Sequence, residues 1–365
     1  MKAKYYATIF LKKVVFIEHE NGNWVFGGEK LKKIFVGISG IGSYLPEKIL
    51  TNDELSKMVD TSNEWIVERT GIEQRRIVEE SQATSDLAIE AGIRALENAS
   101  VTPEEIDLII VASSTPDYIF PSTACIVQHK INATKAAAFD MNVACSGFVY
   151  AMATGANFIS SGAYKKVLVI GAEAFSRIMN WEDRNTCVLF GDGAGAVVLE
   201  ECDQDFGILS YDLGSDGENG DVLIVPAGGS RTPASANTVN DKLHSVQMDG
   251  KAVFKFAVKT MGKSTMKALE KAGLKIEDLD FLVPHQANTR IIDSSMKKLN
   301  LSKEKVYTNL NKYGNTSSAS VPIALDEAVK EGRIKKGDNI ALVAFGAGLS
   351  WASIVMKWNR GDTNG

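Results

Sequence analysis

The feature that most constrains the fold of this chain is an internal repeat. Residues 95–111 (ALENASVTPEEIDLIIV) align without a gap with residues 268–284 (ALEKAGLKIEDLDFLVP), at an offset of 173 positions. At the same offset, the apolar run Val167–Ile170 falls on Ile340–Val343. Two matches at one offset indicate a tandem duplication of a single α/β unit. We therefore predict two similar halves that follow an N-terminal extension, with the extension at residues 1–33 and the halves at 34–205 and 206–365.

Each predicted half alternates helical segments with short apolar runs. The segment Ser85–Ala99 places its apolar residues on one face, as a helix packed on a sheet does. Runs rich in apolar and β-branched residues predict strands that are buried on both faces, and they are Leu108–Ala112, Val167–Ile170, Ala194–Leu199 and Ile340–Phe345. We expect an α/β protein whose duplicated halves pack in α-β-α-β-α layers.

Two further segments have a readable local pattern. In Val14–Phe26 (VVFIEHENGNWVF), the pair Asn21-Gly22 lies between two apolar runs and predicts a β-hairpin in the extension. Residues 227–245 are mostly small and polar, which predicts a loop.

Composition excludes several classes of protein. The 365 residues are 45% hydrophobic and 23% charged, the balance of a globular protein with a large core. A net charge of −5 provides no general attraction for nucleic acid or an anionic membrane, so we expect neither as a partner. No apolar run is long enough to span a bilayer, and Tyr5–Ile17 lacks the cleavage site of a signal peptide. We therefore expect a cytoplasmic protein.

The cysteines point to a candidate nucleophile. None of the four has CxxC spacing or a partnering His cluster, so we expect neither a zinc site nor a disulfide framework. Cys145 lies in FDMNVACSGFVY, where a predicted strand leads into a predicted helix. The N–H groups and the dipole of a helix start lower the pKa of a thiol, so we expect Cys145 to favour the thiolate. The other cysteines are better interpreted as small buried hydrophobes: Cys125, Cys187 and Cys202.

A histidine and an asparagine complete the candidate site. His285 follows a predicted strand in VPHQANTRII, where a lone histidine is more often a satisfied core residue. Asn315 lies in YTNLNKYGNTSSA, and its Asn-Thr-Ser cluster before an apolar helix is first of all a helix N-cap signature. Taken alone, each residue is adequately explained by its structural interpretation, as a core histidine or as an N-cap. Together with Cys145, the two residues form a candidate catalytic set.

The combination resembles the thiolase superfamily and, within it, the β-ketoacyl-acyl-carrier-protein synthase III family, over about residues 34–358. Cys-His-Asn is the set of that family: elongating synthases have a second His at the position of Asn315, thiolases a second Cys, and hydroxymethylglutaryl-CoA synthases a Glu base. RTGI separates the chain from plant-type polyketide synthases. The matching motifs are GSYLPE (42–47), DTSNEWIVERTGI (60–72), ACSGF (144–148), FGDGAGA (190–196), HQAN (285–288), YGNTSSAS (313–320) and FGAGLSW (345–351).

The resemblance implies a decarboxylative Claisen condensation. Cys145 would accept an acyl group from acyl-CoA, and malonyl-acyl carrier protein would then bind. His285 and Asn315 would donate hydrogen bonds to the thioester oxygen during decarboxylation. The N–H groups of Cys145 and of the turn at Gly346 and Ala347 would hold the oxyanion of the acyl-enzyme. The resemblance implies no metal and no redox cofactor.

The resemblance also implies binding surfaces. A family loop that reaches the partner's acyl tunnel matches the position of Phe120, which implies a homodimer. The CoA-binding positions carry over to Thr61, Trp65, Arg69, Arg184 and Asn288. Without the resemblance, Trp65 would be interpreted as a core aromatic residue, and the two arginines as solvated surface residues.

A basic helix is the candidate dock for the acidic carrier protein. Read as a helix, Asn288–Asn300 has a buried stripe and an opposite basic face. The stripe is Ile291, Ile292, Ser295, Met296 and Leu299. The basic residues, with one more matching family position at Lys255, are Arg290, Lys297 and Lys298.

Three alternative functions use the same residue types or the same fold. A cysteine hydrolase with a Cys-His-Asn set is disfavoured by the tandem repeat and by the two Gly-rich turns. A non-catalytic partner subunit is disfavoured because all three catalytic residue types are present. A condensing enzyme of secondary metabolism with a different acyl donor stays open, as does the chain length and branching of the primer.

Overall fold

The computed structural model describes residues 33–361 and the backbone of three short strands in the extension. These strands are β1 (Ile17–Glu18), β2 (Trp24–Phe26) and β3 (Glu29–Lys30). β1 pairs antiparallel with β2, and β2 pairs antiparallel with β3. The antiparallel β1–β2 pair lies within the segment for which the sequence predicts a hairpin. Its predicted turn, Asn21-Gly22, lies outside the described residues.

The first half is built on a five-stranded sheet. β7 pairs parallel with β8 and β9, whereas β10 pairs antiparallel with β9 and β4, in the order β4-β10-β9-β7-β8. These strands are β4 (Val36–Tyr44), β7 (Leu108–Ala112), β8 (Ala137–Met141), β9 (Lys166–Glu173) and β10 (Gly193–Glu201). A separate two-stranded ribbon consists of β5 (Ile49–Thr51) and β6 (Gln74–Arg76).

The helices of the first half include the one that the apolar stripe predicts. That helix is α3 (Thr84–Ala99), which buries Leu87, Ala88, Ala91, Ala95 and Leu96 against the sheet. The others are α1 (Asn52–Leu55), α2 (Asn63–Thr70), α4 (Thr123–Lys130) and α5 (Gly147–Ser160).

The second half repeats this plan with a four-stranded sheet in the order β11-β16-β15-β14. Its strands are β11 (Gly207–Ser215), β14 (Phe281–Pro284), β15 (Asn339–Gly346) and β16 (Ser350–Lys357), with a small ribbon of β12 (Leu223–Ile224) and β13 (Gln247–Met248). Its helices are α6 (Ala236–Asn240), α7 (Gly250–Lys271), α8 (Thr289–Leu299), α9 (Leu310–Tyr313) and α10 (Ser320–Lys330).

The duplication is visible in the structure. β9 begins at Lys166 and β15 at Asn339, which are 173 positions apart, and the same offset relates the first residues of α5 and α10. The two sheets place their equivalent strands in the same order. The prediction of two duplicated α/β halves is confirmed.

The layers follow from which faces are apolar. α5 and α10 lie between the two sheets, and their apolar residues join side chains of both sheets in one core. α3 and α4 cover the outer face of the first sheet, and α7 and α8 cover that of the second. This arrangement gives the predicted α-β-α-β-α order. In the described part of the chain, no helix is both long enough and apolar enough to cross a membrane.

Two predictions from the sequence are wrong. Residues 227–245 contain α6, because the Ser235 hydroxyl accepts a hydrogen bond from the Thr238 N–H and caps a short helix. The assignment of three cysteines as buried hydrophobes holds for Cys187 alone. Cys125 is exposed on α4, and Cys202 is half-buried just after β10.

Candidate active site

Cys145 lies where the first half turns from strand to helix. β8 ends at Met141, a 3₁₀ turn spans Ala144–Ser146, and α5 begins at Gly147. The thiol-bearing residue is only 6% exposed. The end of β15 comes so close that a Cβ on Gly346 would lie 2.6 Å from the Cys145 backbone nitrogen. Because any side chain would clash there, only glycine allows the second half to pack directly against the predicted nucleophile.

The environment of the Cys145 thiol contradicts the expected thiolate. Burial raises the pKa of Cys145 to about 12. The Ser317 hydroxyl acts in the opposite direction, toward a lower pKa. The helix start therefore does not offset desolvation, and the resting group is a neutral thiol.

His285 is a buried, neutral imidazole held at the end of β14. Its backbone N–H donates to the Val343 carbonyl at 2.7 Å, and its ring packs edge-on against Phe345 with centroids 5.2 Å apart. Nδ1 lies 2.6 Å from the hydroxyl oxygen of Ser320, the first residue of α10. Burial lowers the pKa of His285 to about 3. When the Ser320 hydroxyl donates to Nδ1, Nε2 carries the ring proton and is left as a donor.

Asn315 is fixed by its own backbone and by the turn that follows it. Its N–H donates to the Leu189 carbonyl at 2.9 Å, and its carbonyl accepts from the Gly191 N–H at 3.0 Å. Its Oδ1 accepts from the Ser317 N–H at 2.9 Å, which leaves the amide nitrogen as the free end of the side chain. The N-cap interpretation is wrong, because the N-cap residue of α10 is Ala319 and has no side-chain cap.

These three residues line one cleft. Cys145, His285 and Asn315 share it with Asn288 and Gly346, and its empty volume is ≈ 720 Å³. Among the described residues, no group of three or more His, Cys, Asp or Glu could hold a metal ion. The cleft thus brings Cys145 together with the side chains of His285 and Asn315.

A second cavity, of ≈ 830 Å³, also reaches Cys145. Its walls are mainly apolar and include Phe175, Ile178, Val225 and Ala347. Cys145 thus borders two cavities. We call the second one the acyl cavity.

The predicted CoA-binding residues form a cluster around one indole. The guanidinium carbons of Arg69 and Arg184 lie 4.7 and 5.1 Å from the ring centroid of Trp65, which is half-buried. Both arginines are exposed, so neither a core aromatic nor a merely solvated surface describes the cluster. The half-buried Thr61 hydroxyl has no hydrogen-bond partner within the described residues.

Asn288 connects this cluster with the cleft. Its Oδ1 caps α8 by accepting from the Arg290 N–H at 2.8 Å, and its Nδ2 donates to the Arg69 carbonyl at 3.0 Å. It lines the cleft beside His285. Asn288 therefore links the cluster around Trp65 to the cleft that holds Cys145.

The basic helix has the predicted faces. α8 buries the five predicted stripe residues, whereas Arg290, Lys297 and Lys298 are exposed. The Lys298 ammonium donates to the Val258 carbonyl of α7 at 3.3 Å, and Lys255 is exposed on the same helix. The four predicted docking residues thus lie on a neighbouring pair of helices.

The predicted dimer loop is strongly exposed in the single chain. Phe120 is 84% and the adjacent Ile119 87% exposed, and Tyr118 is 62% exposed. Three consecutive apolar or aromatic side chains in water are unfavourable unless something covers them.

Sequence reasoning missed two residues of this region. Ser320 orients His285, and it is the last residue of the motif YGNTSSAS. Glu173 lies fully buried near Cys145, at the end of the strand β9. An acidic residue at the end of an otherwise apolar strand was the available signal.

Two duplicated α/β halves, with a thiol at one strand-to-helix turn and a neutral His and an Asn in the same cleft, define a thiolase-fold condensing enzyme. Family models described as 3-oxoacyl-[acyl-carrier-protein] synthase III and its C-terminal part match residues 139–217 and 269–358. The chain belongs to the β-ketoacyl-[acyl-carrier-protein] synthase III family.

Similar proteins support this assignment. A β-ketoacyl-[acyl-carrier-protein] synthase III from Caldanaerobacter subterraneus subsp. tengcongensis is 61% identical over 329 residues, which are 90% of this chain and 99% of that protein. One from Clostridioides difficile is 56% identical over 88% of this chain and 98% of that protein. The crystal structure of 3-oxoacyl-[acyl-carrier-protein] synthase III from Aquifex aeolicus superposes with a TM-score of 0.82, at 47% identity, over 88% of this chain and all of that one.

Proposed function

We propose that the protein initiates fatty-acid synthesis by condensing an acyl-CoA primer, such as acetyl-CoA, with malonyl-acyl carrier protein to give 3-oxoacyl-acyl carrier protein. The observation that carries the proposal is the convergence of Cys145, His285 and Asn315 on one cleft whose polar groups are neutral donors. The names of the relatives support the 3-oxoacyl product and the carrier protein.

In the first half-reaction, the Cys145 thiol attacks the thioester carbonyl of acyl-CoA, the bond to the CoA sulfur breaks, and CoA leaves as the thiol with the proton that Cys145 gives up. The indole of Trp65 and the guanidinium groups of Arg69 and Arg184 offer stacking and charge to the adenine and phosphates of CoA. Thr61 and Asn288 offer polar groups along the path to the thiol. The acyl chain then occupies the acyl cavity.

In the second half-reaction, malonyl-acyl carrier protein delivers its thioester to the emptied cleft. His285 and Asn315 donate hydrogen bonds to the thioester oxygen as loss of carbon dioxide builds enolate charge. Their neutrality suits this step, because a carboxylate there would repel the developing anion. The carbanion attacks the acyl-Cys145 carbonyl, and N–H groups of Cys145 and of the turn at Gly346 and Ala347 hold its oxyanion. When the oxyanion collapses, the bond to the Cys145 sulfur breaks, which frees the cysteine and releases 3-oxoacyl-acyl carrier protein. The chemistry needs neither a metal nor a redox cofactor.

The proposal includes an assembly. The basic side chains of Lys255, Arg290, Lys297 and Lys298 receive the acidic carrier protein. Phe120 and its exposed neighbours pack against a second copy of the chain, which gives a homodimer. Because the substrates are those of dissociated fatty-acid synthesis, we place the enzyme in the cytoplasm.

Intact-protein and peptide mass spectrometry test the covalent step. Acetyl-CoA should add one acyl mass to the Cys145 peptide, and malonyl-acyl carrier protein should remove it with release of 3-oxoacyl-acyl carrier protein. Cys125→Ser is the matched control, since Cys125 is the exposed thiol and should not be needed. A label that maps to Cys125, or an acyl-enzyme that the carrier cannot discharge, would contradict the proposal.

A second candidate is a priming synthase of secondary metabolism. The crystal structure of the priming β-ketosynthase from the R1128 polyketide biosynthetic pathway superposes with a TM-score of 0.83, at 35% identity, over 91% of this chain and 99% of that one. The site chemistry would be the same and only the donor would differ. A panel of straight and branched acyl-CoA donors separates the two candidates, because a fatty-acid initiator should prefer short primers.

A further inference from the structure

A buried acid lies behind the catalytic turn, and the mechanism above does not use it. Glu173 is the last residue of β9 and has no exposed surface. Burying a carboxyl group costs free energy unless its oxygens are satisfied by hydrogen bonds. The contacts of Glu173 therefore indicate what it holds together.

Those contacts join two segments that are far apart in the sequence. One carboxyl oxygen accepts from the Thr115 hydroxyl at 2.7 Å and from the Ser114 N–H at 3.1 Å. The other lies 2.9 Å from the hydroxyl oxygen of Ser318 and also accepts from the Ser114 N–H at 3.2 Å. Glu173 thus links the 113–115 segment with the turn that contains Ser318.

Both segments belong to the active site. Ser114 lines the acyl cavity, and so does Ser317, whose N–H fixes the Oδ1 of Asn315. Ser318 follows directly in the same turn. A displacement of this turn would move the Asn315 amide and the wall of the acyl cavity together.

A count of protons indicates the charge of the acid. The Ser318 hydroxyl oxygen lies 2.8 Å from the Ala112 carbonyl oxygen and 2.9 Å from the carboxyl oxygen of Glu173. A carbonyl and a carboxylate are both pure acceptors, and the hydroxyl has one proton to donate. A protonated carboxyl resolves the conflict, because it donates to the Ser318 oxygen while Ser318 donates to Ala112. Burial also raises the pKa of Glu173, which favours the same form.

We propose that Glu173 is a positioning residue that acts as a neutral carboxylic acid, holding the Asn315–Ser318 turn against the 113–115 wall of the acyl cavity. In this form it places no negative charge beside Cys145 or beside the enolate. The part that concerns decarboxylation rests on the function proposed above. The part that concerns charge does not, since the reactivity of the thiol can be measured without any substrate.

Two variants test the proposal. Glu173→Gln keeps the shape and most of the hydrogen bonds, with its NH₂ donating to Ser318 and its oxygen accepting from the Thr115 hydroxyl and the Ser114 N–H. It should keep both half-reactions within about threefold of the wild type. It should also leave the pH profile of Cys145 alkylation by iodoacetamide unchanged, because no charge has been removed. Glu173→Ala should reduce malonyl-acyl carrier protein decarboxylation at least tenfold more than acylation by acetyl-CoA.

Three results would overturn the proposal. One is a Glu173→Gln enzyme whose alkylation profile moves to lower pH, since that would show that a carboxylate had been raising the thiol pKa. Another is a Glu173→Gln enzyme that loses as much activity as Glu173→Ala. The third is a folded Glu173→Ala enzyme with wild-type rates. A wild-type enzyme that lacks condensing activity would instead refute the proposed function, and the alkylation profiles would still decide the charge.

Discussion

Replacing Ser320 by Ala tests how the neutral histidine is made into a donor. The Ser320 hydroxyl is the group that satisfies Nδ1 of His285, at 2.6 Å, and both residues are at most 2% exposed. Without it, Nδ1 is a buried acceptor with no partner in its present orientation. The ring then gains free energy by turning toward another donor, which takes Nε2 away from the cleft.

The size of the effect follows from that gain. An unsatisfied buried polar group costs about 1–3 kcal/mol. The free energy that the imidazole ring gains by turning toward another donor is lost again when the ring turns back to donate to the enolate, and it therefore adds to the barrier. Since about 1.4 kcal/mol is a factor of ten in rate, decarboxylation should fall roughly 5- to 150-fold. Complete loss of one oxyanion donor, about 10²–10³-fold, sets the upper limit.

The assay compares the two half-reactions in one variant. Carbon dioxide release from malonyl-acyl carrier protein should fall as stated, whereas acylation of Cys145 by acetyl-CoA, which needs no enolate donor, should stay within about twofold. Ser161→Ala is the matched control, because Ser161 is exposed at the far end of α5 from the site. A folded Ser320→Ala enzyme that decarboxylates at the wild-type rate would refute the reasoning.

Three further predictions use other parts of the molecule. Arg290→Glu should raise KM for malonyl-acyl carrier protein at least tenfold and weaken the salt dependence of that KM. The control Lys335→Glu should do neither, because Lys335 is exposed before the start of β15, at the end of that strand away from Gly346. Equal losses in both half-reactions would contradict docking at Arg290. His285 has a pKa of about 3 when folded, so below about pH 6.5 the imidazole is protonated in the unfolded chain but not in the folded one, and the free energy of unfolding decreases as the pH decreases. In urea titrations, His285→Asn should remove about 3 kcal/mol of that loss by pH 4. An unchanged dependence of stability on pH would count against a neutral buried imidazole. A chain that starts at Ile34 should keep its dimer and its turnover, measured by light scattering and product formation, and insolubility would show that the extension covers apolar surface.

Much of the architecture could be predicted because its signals are local. The repeat at an offset of 173 and the apolar runs located the two halves, and a helix stripe such as Ile291–Leu299 depends only on residues three or four apart. The catalytic set could be predicted because strand-to-helix turns carry short motifs. Contacts such as that between His285 and Ser320 join residues 35 positions apart, and only the packing of α10 under β14 brings them together.

The repeat also relates the two turns of the active site to each other. The same offset relates Asn142 to Asn315, and both side chains accept a hydrogen bond from the N–H two residues later, at 3.3 and 2.9 Å. Those later residues, Ala144 and Ser317, both have left-handed backbone, with φ of 46° and 49°. One turn is therefore built twice. The first copy presents Cys145 as the nucleophile, and the second places Ser318 at the equivalent position, where it contacts Glu173.

The protonation of the nucleophile shows why magnitude matters more than the presence of a favourable motif. A helix start stabilises a nearby anion by about 0.3–1 kcal/mol, and by about 2 kcal/mol in partly buried sites. A rise in the pKa of Cys145 from 9.0 to about 12 corresponds to about 4 kcal/mol against the thiolate. Desolvation therefore wins over the dipole. Sequence shows the helix start but not the depth of burial, because that depth is set by Gly346 from the other half of the molecule.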